Sequence, residues 1–140
     1  HELSDNIDSS QINFLSIIHE VLETKSKLGG FNFEIDLEEP IDWQPINQII
    51  KINLYRILQE ALQNIIKHAQ AKNVSISFDI IDESKLIMKI KDDGVGFDRK
   101  ERRKGIGMKN MSSRTKKIKG VFTVLSDPTK GTVLTIQIPI

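Results

Sequence analysis

The stretch ILQEALQNIIKHAQAKNVSISFDIIDESKLIMKIKDDGVGF, residues 57–97, changes its hydrophobic rhythm once, and that change decides the fold. In its first part Leu58, Ala61, Leu62 and Ile65 recur at spacings of three and four, one face of a helix. Leu54 extends this face backwards, and the helix is expected from Ile46 to Ala69. Beyond it the period falls to two. Val74–Ile81 alternates, as does Leu86–Ile90, and the polar Asp82-Glu83-Ser84 between them predicts an antiparallel hairpin. The second strand runs directly into Asp92-Asp93-Gly94-Val95-Gly96-Phe97.

Working outward, residues 1–28 read as helical, with Ile12, Leu15, Ile18 and Leu22 as the apolar stripe. Asp8, Ser9 or Ser10 is the expected cap, and Gly29-Gly30 the stop. FNFEIDL (31–37) alternates as a strand, and Pro40 and Pro45 mark an irregular stretch after it. Met108–Lys119 reads as a helix ended by Gly120. Residues 121–126 and 132–140 read as strands joined by the turn Asp127-Pro128-Thr129-Lys130-Gly131. The order helix, strand, helix, two strands, helix, two strands predicts an α+β fold. It is a two-layer sandwich, with about three helices covering one face of a mixed, mostly antiparallel sheet. Residues 1–28 are expected to form a helical linker or the end of a preceding region plus the first helix, and residues 29–140 the main domain.

Composition narrows the classes of function. The 140 residues suffice for one core, and 28% charged residues with a net charge of +1 give no general reason to expect nucleic acid as a partner. The absence of cysteine removes disulfides, zinc–thiolate sites and thiol nucleophiles. No apolar run approaches the roughly 20 residues that span a bilayer.

Three groups of residues carry chemistry. Glu60, Asn64, Lys67 and His68 share one face of an uninterrupted α-helix, beside the apolar stripe. The Asn64 carbonyl is a hard oxygen ligand suited to Mg²⁺, Lys67 supplies charge for a phosphate, and Glu60 can order a water or accept a proton. A solvated helix face has the same pattern. Asp92, at a strand end, can accept a hydrogen bond from an exocyclic amine, and Gly94 and Gly96 permit close approach of a ligand; a structural Asp-Gly turn fits equally. Gly105-Ile106-Gly107 precedes a helix whose first N–H groups can bind an anion. The basic run Arg99–Lys104 before it is either a lid over polyphosphate or a solvated loop. Thr132 can contact a base, or be only a β-branched strand residue after a turn glycine.

Taken in order, these pieces resemble the Bergerat-fold ATPases, the superfamily shared by gyrase, Hsp90, MutL and histidine kinases. LQEALQNIIKHAQA (58–71) is similar to the N box, DDGVGF (92–97) to the G1 box, GIGMKNM (105–111) to the G2 box and GTVLTIQIPI (131–140) to the final glycine box. The resemblance covers about residues 30–140. Gln59-Glu60-Ala61, Lys67-His68-Ala69 and Asn110-Met111-Ser112-Ser113-Arg114 look like the histidine kinases similar to nitrate-sensing and desaturase-controlling kinases. The resemblance implies Mg²⁺ on Asn64, phosphate on Lys67, adenine read by Asp92, and Thr132 completing the base pocket. Gly94 and Gly96 would admit the base, while Gly105 and Gly107 would support the phosphates. His68 and Met108 join the nucleotide-contacting set, and Glu60 matches the general base of hydrolysing relatives.

The resemblance further implies a domain that binds Mg²⁺-ATP and donates its γ-phosphate to a histidine on a dimerisation domain, with a response regulator downstream. The domain would be cytoplasmic and monomeric, within a homodimeric and membrane-associated parent. His1-Glu2-Leu3 lies too close to Asn64 to be the acceptor segment, so residues 1–10 read as the tail of a dimerisation helix or its linker. His19 reads as structural. Two other readings are an anti-sigma-factor serine kinase and a nucleotide-sensing docking module without kinase activity.

Overall fold

The computed structural model describes residues 10–95 and 106–140. Gly96, Gly105, the basic run 99–104 and residues 1–9, including the caps Asp8 and Ser9, lie outside the described residues.

Helix α1 spans Ser10–Gly29 and stops where Gly30 turns left-handed at φ +69, with its N–H donating to the Ser26 carbonyl. Strand β1 is Asn32–Leu37. Helix α2 is Gln48–Asn64, capped by the Asn47 side chain, which accepts the Ile49 N–H at 2.7 Å. The expected helix to Ala69 is corrected at its end. Residues Ile65–Ala69 form a π-helical turn, which closes on Gln70 in the left-handed region. Strands β2 (Asn73–Ile81) and β3 (Lys85–Asp92) form the expected hairpin. Asp82 and Glu83 both take positive φ, the backbone of a type I′ turn. Helix α3 covers Ile106–Lys117, so Gly107 sits inside its first turn and not ahead of it. Strands β4 (Val121–Asp127) and β5 (Gly131–Pro139) complete the chain.

The five strands lie in the order β1-β2-β3-β5-β4, with β1 parallel to β2 and the other pairs antiparallel. The α+β sandwich with one open sheet face is what the structure has. The strands alternate: Val74, Ile76 and Phe78 on β2, Leu86, Met88 and Ile90 on β3, and Leu134, Ile136 and Ile138 on β5 are buried under the helices. Against them α2 sets Leu54, Ile57, Leu58, Ala61 and Leu62. Burying each of these larger aliphatic side chains contributes about 1.5–3 kcal/mol. Phe14, Ile18 and Leu22 bring α1 into the same core. The loop after β1 contributes Trp43, whose ring lies 4.6 Å from that of Phe14 and 5.1 Å from that of Phe78. Trp43 is 1% exposed, and its Nε1–H finds no hydrogen-bond acceptor among the described residues. His19 is corrected in one respect: its side chain is at the surface, edge-on to Phe33 and 3.9 Å from Glu23. Among the described residues no helix is long and apolar enough to cross a membrane.

Candidate functional site

The inward rows of β3 and β5 are apolar until their members at one end of the sheet. On β3 the series Leu86, Met88, Ile90 ends in Asp92, and on β5 the series Ile138, Ile136, Leu134 ends in Thr132. Sheet register makes Val74, Asp92, Thr132 and Ser126 one cross-strand row. A carboxylate and hydroxyls therefore close the same end of an otherwise apolar face. Asp92 is only 5% exposed and Thr132 only 8%. The end of α2 and its π-helical turn pass over this row.

Between the layers lies a cleft of about 30 Å³, room for roughly one water molecule. Asn64 and Ala69 wall it from the helix side, Asp92, Val95 and Thr132 from the sheet, and Met108 from α3. Four residues singled out in the sequence, Asn64, Asp92, Met108 and Thr132, thus meet here. Glu60, Lys67 and His68 do not line it. Glu60 is half-buried, while Lys67 and His68 are exposed on the π-helical turn. A single α-helical face for all four residues of that stripe does not survive, because the wider i→i+5 turn shifts everything after Asn64.

The turn after β3 is locked in place. The Gly94 N–H donates to Asp92 Oδ1 at 2.9 Å, which orients the carboxylate, and the Val95 N–H donates to the Ala69 carbonyl at 2.7 Å. A Cβ on Gly94 would stand 2.1 Å from that carbonyl oxygen. On the other side Gly131, at φ +97, packs so tightly that a Cβ there would stand 2.0 Å from the Asp92 carbonyl. Thr132 Oγ1 and Ser126 Oγ share a hydrogen bond of 2.9 Å. Sequence reasoning missed Ala69, Ser126 and Val95. Their contribution is backbone, register or wall, which residue type does not announce.

Asp93, also unassigned from sequence, points away from the cleft. Burial pushes its carboxyl up, but hydrogen bonds from Asn73, Lys72 and its own backbone outweigh that and hold it below the usual carboxylate range. Among the described residues no group of three or more His, Asp or Glu could hold a metal ion by itself.

Residues 50–140 match the family described as histidine kinase-, DNA gyrase B-, and HSP90-like ATPase. The chain belongs to this family. Its relatives include the oxygen sensor histidine kinase NreB of Staphylococcus carnosus, 34% identical over 79% of this chain and 32% of that protein. The histidine-protein kinase/phosphatase DegS of Brevibacillus brevis is 39% identical over 65% of this chain and 24% of that protein. With the family match, these relatives make the chain a histidine kinase-type ATPase domain, and it spans about a quarter to a third of the length of these curated relatives. The histidine kinase domain of the Erythrobacter litoralis EL346 blue-light activated kinase superposes with a TM-score of 0.74 at 18% identity, over 92% of this chain and 60% of that one. Full-length ShkA, solved in complex with AMPPNP, superposes with a TM-score of 0.71 at 18% identity, over 89% of this chain and 29% of that one. Both share the fold of this domain.

Proposed function

We propose that the cleft binds Mg²⁺-ATP and that the domain donates the γ-phosphate to a histidine on a dimerisation domain outside this sequence. From there the phosphate would pass to an aspartate of a response regulator. The observation that carries this reading is Asp92. A nearly buried carboxylate at the end of an apolar row, oriented by the Gly94 N–H, suits an exocyclic amine and little else. The apolar wall of Ile90, Ala61 and Leu134 suits the flat face of a base, and Gly94 lets the turn close on the Ala69 carbonyl that borders it. Seating a base requires side chains such as Met108 and Val95 to move outward.

Asn64 fits the ion. One amide oxygen is a suitable protein ligand for Mg²⁺, which keeps waters and takes substrate phosphates as its other ligands, and no all-protein cage is needed. When bound, the ion neutralises phosphate charge. Lys67, exposed beyond Asn64, is a cation on that side for polyphosphate, with His68 beside it, and Gly107 in the first turn of α3 would support the phosphates. The acceptor imidazole nitrogen attacks the γ-phosphorus, the bond to the bridging oxygen breaks, and ADP leaves. Glu60 would polarise the incoming group. That related sensor kinases are much longer than this chain supports an acceptor outside this sequence; the parent would be a homodimer.

Calorimetric titration with ATP tests the reading. Wild type is expected to bind in a Mg²⁺-dependent manner, and Asn64→Ala to lose most of the Mg²⁺ dependence. Asp92→Ala is expected to lose ATP affinity by about 10- to 100-fold, the cost of one charge-assisted hydrogen bond. Wild-type binding unchanged in both variants would discard it.

A further inference from the structure

Asp93 lines no part of the cleft, yet its carboxylate is densely bonded close beside it. Its Oδ1 accepts the backbone N–H of Lys72 and of Asn73, each at 2.8 Å. Its Oδ2 accepts the Asn73 side-chain Nδ2–H, also at 2.8 Å. Its own N–H donates to the Asn73 carbonyl at 3.2 Å. These four bonds tie the start of β2 to the end of β3, one residue from Asp92. The neighbouring Val95 N–H ties the same turn to Ala69, at the end of the π-helical turn. Gly94 lies between the two ties, and its N–H is the donor that orients Asp92.

We propose that Asp93 is a positioning residue for recognition of the nucleotide base. Its clamp on Lys72 and Asn73 fixes the height of the Gly94 N–H, and through it the direction of the Asp92 carboxylate. This inference rests on the reading of the cleft as an adenine site. An exocyclic amine donates to a carboxylate held in that direction. Guanine offers a carbonyl oxygen at the same place, so a rigid carboxylate rejects it. A loosened carboxylate discriminates less.

The clamp can be inverted without changing its shape. In Asp93→Asn alone, the carboxylate charge is lost and the introduced NH₂ meets the Asn73 NH₂ unless the Asn73 amide turns over to offer its oxygen. In Asn73→Asp alone, two carboxylates face each other. In the double variant Asn73→Asp/Asp93→Asn the donor and acceptor are exchanged and the pair is restored, while the amide oxygen introduced by Asp93→Asn still accepts both backbone N–H groups. Dissociation constants for Mg²⁺-ATP and Mg²⁺-GTP are to be measured on the 140-residue chain for wild type, both single exchanges, the double variant and Asn73→Ala. Asn73→Ala is the mildest variant, removing only one of the four bonds.

Each single exchange is expected to weaken ATP binding by about tenfold and to narrow the ATP-over-GTP preference by a similar factor, a coupling typical of groups in contact. Asn73→Ala is expected to fall between them and wild type, and the double variant to return within about twofold of wild type. A destabilised but otherwise normal site loses both nucleotides in proportion, because the unfolded fraction binds neither. Unchanged ATP affinity in both single variants, or an unchanged ATP/GTP ratio in Asn73→Ala and in the single exchanges, overturns the inference alone. Absence of ATP binding by wild type overturns the adenine-site reading and this inference with it.

Discussion

Gly94 and Gly131 are confined for different reasons, and their substitutions are expected to fail differently. At Gly94 a methyl group collides with the Ala69 carbonyl at the cleft itself, so Gly94→Ala is expected to abolish measurable ATP binding in a titration while much of the fold persists. At Gly131 the collision with the Asp92 carbonyl is compounded by φ +97, so Gly131→Ala costs stability first, by about 2 kcal/mol or more in chemical denaturation. Asp93 adds a pH dependence. Its folded pKa lies below its unfolded value, so its stabilisation is fully present above the ordinary aspartate pKa of about 3.9 and is lost as pH falls through the lower folded value. Unfolding free energies of wild type and Asp93→Asn should therefore differ most at neutral pH and converge in acid. A gap that stays constant down to about pH 2, well below the ordinary aspartate pKa, would show that the charge is irrelevant. Asp92 and Thr132 were picked out from sequence because each stands at the end of an alternating apolar row, and Asn64 because it lies beside the apolar stripe of the helix. Asp93 was not, since its bonds to Lys72 and Asn73 lie one step beyond the alternating runs, at the open end of the hairpin where no hydrophobic period marks a residue.

At the scale of elements, helices and strands were read nearly to their ends, because burial enforces their periods. What periodicity missed are places where tertiary packing overrides it. The π-helical turn at Ile65–Ala69 keeps Ile65 and Ala69 buried, as an α-helix with the same apolar spacing also would, so nothing in the pattern announces it. Trp43 stands in a proline-flanked stretch without period, yet it is among the largest fully buried side chains. Trp43→Ala is expected to cost about 3–5 kcal/mol in urea unfolding. Trp43→Phe removes an unsatisfied donor along with part of the ring, and should cost well under half of that. The hairpin turn offers the opposite case. Asp82 and Glu83 both carry the left-handed penalty, so an Asn-Gly pair at 82–83 is expected to stabilise by about 1 kcal/mol without touching ATP affinity at the far end of the sheet.

For the whole molecule, fold and family follow from sequence order, whereas the proposed function takes its acceptor histidine from outside the cleft. The chain is expected to bind ATP and not to label itself when incubated with γ-labelled ATP. Stable phosphohistidine on His1 or His19 would overturn that division of labour. The sheet joins the two scales. Thr132 faces the cleft only because β5 pairs with β3 in one particular alignment. Removing a single residue from the Asp127–Gly131 turn, if β5 slid to compensate, would turn Thr132, Leu134, Ile136 and Ile138 outward together. A length change in this turn is therefore tolerated only where the turn or the edge strand β4 takes it up, since the same shift passed on to β5 would empty the core and blind the binding cleft together.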